Sequence, residues 1–195
     1  MRNITYEIDE CYHIYNRGVD KRIVFVDTKD FDRFLSSLKQ LNKGANNEKL
    51  VSIISFCLLL NHFHLILSPL IEKGVEGFMH KLGTSYTNYF NKKYDRKGSL
   101  FEGPYKSKYI DKDTYFSYLV SYVTLNHVVH GISEDDTYRS ALEEYSTEYQ
   151  QGICDRDKTY HIIPKEDFLQ EILTTAKEIR EKRVEREYFD KMLID

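Results

Sequence analysis

The sequence predicts an α+β domain: a ferredoxin-like antiparallel sheet with helices packed mainly on one face, followed by a C-terminal helical tail. Three observations carry that prediction. The longest apolar run, VSIISFCLLLNHFHLILS at 51–68, is interrupted at Asn61 and reads as a buried β-hairpin. Strand-like and helix-like patterns then alternate along the first 130 residues in the order β, α, β, β, α, β, α, which builds an antiparallel sheet backed by helices. Finally, 195 residues are enough for one domain with a substantial core and an appended tail.

The elements follow in chain order. Residues 12–19 (YHIYNRGV) read as a first strand ending at a glycine turn. Residues 27–41 form a helix with Thr28 as its N-cap. Phe31, Phe34, Leu35, Leu38 and Leu41 make its apolar stripe, and Gly44 lies just past its end. The hairpin follows as strands 51–59 and 62–67. A second helix at 75–94 spaces Phe78, Leu82, Tyr86, Tyr89 and Phe90 near a helical period, and 95–98 is a turn. Residues 105–110 (YKSKYI) alternate strictly, so Lys106 and Lys108 share the face opposite Tyr105, Ser107 and Tyr109. Asp113 or Thr114 caps a third helix that runs to about His130 and is stopped by Gly131. Beyond 131 the chain turns acidic and weakly patterned. A short helix falls near 140–150, and 168–191 is a highly charged helix docked by a narrow stripe of Phe168, Ile172 and Ala176. The division is therefore 1–150 for the domain and 151–195 for the tail.

Composition narrows the function classes. The net charge of −3 does not announce a nucleic-acid partner, but its distribution is uneven. Residues 1–110 carry 17 basic against 12 acidic side chains, and 111–195 carry 11 against 19. A mildly basic body is compatible with DNA binding without requiring it. Cys11, Cys57 and Cys154 are far apart and lack zinc-ligand spacing, so they read as free thiols in a reducing compartment. No segment reads as a signal peptide or a membrane span, and the expected location is cytoplasmic.

The chemistry centres on the second hairpin strand. Alternation points His62, His64 and Ile66 to one face and Phe63, Leu65 and Leu67 to the other. A lone strand histidine is usually packed or hydrogen-bonded. Two on one face both need partners, and neutral imidazoles two residues apart can ligate one cation. The third helix supplies further groups. Phe116, Leu119, Val120 and Val123 form its packing stripe, leaving Tyr118, Tyr122, Asn126 and Val129 on an adjoining face. Tyr122 and Asn126 lie one turn apart. Two imidazoles and a carboxamide oxygen without thiolate suit Mg²⁺ or Mn²⁺ better than structural zinc.

With these residues in view, HFH at 62–64 resembles the His-hydrophobe-His motif of HUH endonucleases. Preceded by Asn61, it is similar to the strand of single-tyrosine transposases in the REP-associated branch. YHIYNRG at 12–18, TSYTNYFNKKY at 84–94, GSLFEGPYKSKYI at 98–110 and SYVTLNHVVHG at 121–131 are similar in collinear order over roughly 10–150. The resemblance implies the HUH endonuclease fold, Tyr122 as nucleophile, His62, His64 and Asn126 as metal ligands, and a 5′-phosphotyrosine intermediate. It also implies single-stranded or hairpin DNA as partner, with either a homodimer or a monomer. Arg17, Lys106 and Lys108 are candidates to track phosphates, and Tyr15 and Tyr105 to stack on bases. The chain departs from the family in Asn126-His127, where Asn-Pro is usual, and in having no Trp. Two other readings stay open: a non-catalytic DNA-binding protein of the same fold, and a replication or mobilisation nickase.

Overall fold

A computed structural model describes residues 5–111, 113–132, 137–146 and 152–192. Its elements are β1 (Cys11–Arg17), a 3-10 turn (Val19–Lys21), α1 (Thr28–Gln40), β2 (Val51–Leu59), β3 (His62–Pro69), α2 (Gly74–Lys93) and β4 (Lys106–Ile110). They continue with α3 (Asp113–Thr124), α4 (Asn126–Val129), β5 (Arg139–Ser140), α5 (Leu142–Ser146), α6 (Arg156–Tyr160) and α7 (Phe168–Met192). The strands form one sheet in the order β4-β1-β3-β2-β5 with every pairing antiparallel, so the expected α+β class is what the chain adopts.

The apolar hairpin is central because both its strands are buried on both faces. On β3, Phe63 meets Phe34 of α1 and the Phe101 ring at 5.2 and 5.6 Å, while His64 meets residues of the opposite face. Helices α1 and α2 cover the Phe63 face. On the side that the sequence reading left open, α3 and α4 cover part of the sheet: Thr124 Oγ1 lies 2.8 Å from Ser55 Oγ of β2, and both are buried. This second layer exists because the stripe of Phe116, Leu119, Val120 and Val123 needs an apolar surface, and all four are buried. The tail helix α7 packs in turn on α3 and α4, burying Phe168, Ile172 and Ala176 as their spacing suggests.

Four local expectations change. Asp27, not Thr28, caps α1: its carboxylate accepts from the Asp30 N–H while Asp30 accepts from the Asp27 N–H, a reciprocal capping box. The third helix does not run unbroken to His130. It breaks at Leu125 (φ −112°, ψ 30°) and resumes as α4, with Gly131 ending it at φ +67°. A fifth strand of two residues, β5, pairs with Cys57 and Leu58 of β2, too short for any period to reveal. The helix expected near 140–150 is confined to Leu142–Ser146 among the described residues, and 147–151 lie outside them.

Beneath α1, the fully buried Asp30 carboxylate accepts from Lys93 Nζ (2.6 Å), Tyr94 Oη (2.7 Å), Tyr89 Oη (3.0 Å) and Val26 N–H (2.8 Å). Burial alone would raise its pKa, but the ammonium and the other hydrogen-bond donors outweigh that and hold it below the ordinary carboxylate value. Asp30→Ala should cost about 3 kcal/mol in urea unfolding, because it strands an ammonium and two phenols. Lys93 keeps Asp27 as a second partner at 2.7 Å, which places the loss at the lower end for a broken buried pair. A loss below about 1 kcal/mol would show that solvent replaces these bonds.

Candidate active site

Sheet register decides which groups converge. β1 and β3 pair Tyr15 with His64 and Arg17 with His62, and β1 and β4 pair Tyr15 with Lys106 and His13 with Lys108. Directly opposed residues share a face, so His62, His64, His13, Tyr15, Arg17, Lys106 and Lys108 all lie on the side that α3 covers. A cleft of about 330 Å³ opens there, lined among others by Tyr15, Arg17, His62, His64, Lys106, Tyr122 and His130. The Tyr122 ring stands perpendicular to His64 with centroids 5.7 Å apart. One chain therefore brings the phenol and both imidazoles together.

Asn126 completes the group. Its residue is fully buried, and neither its Oδ1 nor its Nδ2 has a hydrogen-bond partner among the described residues. The carboxamide lies close enough to His62 for a weak, poorly aligned hydrogen bond that favours the protonated ring but falls short of a well-formed one. Burial first, then the charges of His130 and Arg17, prevail and push the His62 pKa down to about 4. His64, only 8 % exposed, is held well below its ordinary value by burial and by the neighbouring His13, His62 and His130. Both rings are therefore neutral near pH 7, the form that ligates a metal.

These residues fit a divalent cation. A buried carboxamide without a well-formed hydrogen bond is costly unless something else meets it, and the neutral His62 lies beside it. Among the described residues no three His, Cys, Asp or Glu side chains gather to hold a metal ion, and Asn126 is a further oxygen donor beside His62. The carboxylate at the rim, Glu102, is engaged by Arg17, whose Nε and Nη2 each lie 2.8 Å from its Oε1. Neutral N and O donors set this cluster apart from a thiolate-bound metal site. All three cysteines are free of disulfides, and burial pushes the Cys57 thiol up to about 12.

The remaining expected DNA contacts divide. Arg17, Tyr15 and Lys106 line the cleft, with Lys106 Nζ 5.9 Å from the centre of the Tyr15 ring. Lys108 shares the face but sits farther along it, over Tyr115 at 4.7 Å. Tyr105 is on the other side of the sheet, where it lines a larger cleft of about 540 Å³ with Asn16, Phe34 and Phe63. Sequence reasoning missed His13, whose Nε2 lies 2.9 Å from His64 Nδ1, and His130, 5.9 Å from His62 between ring centroids. The alternation of 12–17 already placed His13 on the face of Tyr15 and Arg17. Only the pairing of β1 with β3 shows that this is also the face of His64.

The sequence profile of the family described as "Transposase IS200 like" matches residues 11–126, from the first residue of β1 to Asn126 itself. The chain belongs to the IS200-like transposase family. Its fold agrees with a solved REP-associated tyrosine transposase bound to a REP hairpin, at 14% identity and a TM-score of 0.54, covering 78% of this chain and 88% of that one. The search of curated proteins returned no match. The family match spans every residue of the His62, His64, Tyr122 and Asn126 cluster, so this IS200-like transposase carries that cluster inside its family region. The C-terminal segment from Arg139 to α7 lies beyond the match.

Proposed function

We propose that this transposase is a metal-dependent single-strand DNA endonuclease and strand transferase that acts through a 5′-phosphotyrosine on Tyr122, at hairpin or palindromic DNA. The observation that carries the proposal is the meeting, in one cleft, of a phenol with two neutral imidazoles, with the buried carboxamide of Asn126 beside His62. A divalent cation held by His62, His64 and Asn126 would neutralise charge on the non-bridging oxygens of a scissile phosphate. Arg17 and Lys106 at the rim attract and orient the flanking phosphates, and Tyr15 offers a ring face to a base. Tyr122 Oη bonds to phosphorus and loses its proton. The bond from phosphorus to the 3′ oxygen breaks, and that oxygen leaves as a hydroxyl. The phosphotyrosine keeps the bond energy, so a second 3′-hydroxyl can reverse the step on a new strand without ATP.

The relative with a REP hairpin bound supports a hairpin substrate for this chain as well. The test is incubation of the protein with single-stranded and hairpin oligonucleotides from the DNA flanking its gene, in Mn²⁺, followed by denaturing electrophoresis. A detergent-resistant adduct to the 5′ phosphate of the fragment lying 3′ of the cut is expected, with a free 3′-hydroxyl on the other fragment. Hairpin binding with no adduct on any of these DNAs would instead identify a DNA-binding protein that does no strand chemistry.

A further inference from the structure

Both candidate ligand imidazoles have their Nδ1 atoms engaged by a neighbouring side chain. His62 Nδ1 lies 2.6 Å from Asn61 Oδ1, and His64 Nδ1 lies 2.9 Å from His13 Nε2. A carboxamide oxygen only accepts, so His62 carries its hydrogen on Nδ1 and keeps a lone pair on Nε2. The contact between His13 and His64 holds one hydrogen and has two solutions. If His13 donates, neutral His64 carries its own hydrogen on Nε2 and offers a donor where a cation needs a lone pair. If His64 Nδ1–H donates to a bare Nε2 on His13, the remaining His64 nitrogen is free to ligate.

We propose that the second arrangement holds, and that His13 is a positioning residue which pre-sets the tautomer and ring orientation of His64 for a divalent cation. This rests on the reading of His62, His64 and Asn126 as a cation site. The surroundings of His13 suit the task. Its ring lies beside that of His64, with centroids 5.1 Å apart and 21° between the planes, packs against Tyr15 at 5.0 Å, and meets Tyr122 edge-on at 6.3 Å. His13 and His64 are both buried, so water does not compete for the shared hydrogen. Partners of this kind fix which nitrogen a metal-binding histidine presents. Here the partner on each ligand is neutral, Asn61 on one and His13 on the other, so both rings are oriented without adding negative charge.

Two measurements on the full 195-residue chain test the assignment. In ¹⁵N-histidine-labelled wild-type protein without metal, long-range proton–nitrogen correlations should show His64 as the Nδ1–H tautomer. The Nε2–H tautomer there overturns the proposal, and this readout depends on no variant folding. Mn²⁺ alone is then titrated by electron paramagnetic resonance. His64→Ala should lose Mn²⁺ binding, and His13→Leu should weaken it about 10- to 100-fold. His13→Gln, whose carboxamide oxygen accepts the same hydrogen, should bind more tightly than His13→Leu. Equal affinities of the Gln and Leu variants assign His13 a packing role and overturn the inference. So does His64-dependent binding that His13→Leu leaves unchanged, with the cation site itself intact. Wild-type protein with no His64-dependent Mn²⁺ binding overturns the cation site, and the role of His13 falls with it.

Discussion

Tyr122→Phe is expected to abolish the covalent protein–DNA adduct, lowering cleavage by about a thousandfold or more, while hairpin binding stays nearly unchanged. The ring is what packs: Tyr122 stands edge-on to His64 and His13, and phenylalanine keeps that ring in place. Only the oxygen that would bond to phosphorus is removed. Binding is expected to survive because the groups proposed to hold phosphates, Arg17 of β1 and Lys106 of β4, do not belong to α3. The measurement is adduct yield on denaturing gels beside a fluorescence-anisotropy titration. An adduct that persists would move the nucleophile to Tyr118, one turn earlier on α3, which is exposed and stacked near Tyr115.

The second large effect concerns the imidazoles. His64→Ala should reduce Mn²⁺-dependent cleavage by about a hundredfold or more, and EDTA should do the same to the wild type. The variant also removes the partner of His13 at 2.9 Å, so a thermal melt must show that the sheet is intact. Cleavage undiminished in EDTA would remove the metal from the mechanism and leave the neutral histidines as hydrogen-bond donors. The two predictions separate cleanly. Loss of the phenol is expected to remove the proposed bond-forming atom and spare Mn²⁺ binding, whereas loss of His64 is expected to remove Mn²⁺ binding and spare the proposed nucleophile.

Much of this was legible in the sequence because period-2 and period-3.6 patterns are strong where one face is buried. The alternation of 62–67 placed His62 and His64 on one face and Phe63, Leu65 and Leu67 on the other, and the rings of Phe63 and His64 lie on opposite sides as expected. The i, i+4 spacing of Tyr122 and Asn126 does not survive as one continuous helix, because the helix breaks between them at Leu125. What periodicity cannot state is which strands become neighbours. His13 stood in a readable strand, but its role depends on β1 lying beside β3, a pairing across about fifty residues. Tyr105 shows the converse. Its side was assigned correctly relative to Lys106, yet nothing local says that this side turns away from the cleft of His62, His64 and Tyr122. The Asp27 cap was missed because Thr28 is an equally good cap by composition, and only the reciprocal bond to Asp30 chooses between them.

The bulge in β2, where the register against β3 slips between Ile53 and Ser55, has a consequence for self-association. Around it, main-chain carbonyls on the outer side of β2 are already taken: Ile53 by the Asp155 amide, Ile54 by the Tyr145 hydroxyl at 2.6 Å, and Phe56 by the Ala141 amide. A strand from another molecule cannot zip onto that border without evicting these donors. Among the described residues, the border that remains for such an addition is β4, and there the ammonium groups of Lys106 and Lys108 would meet those of an identical antiparallel neighbour.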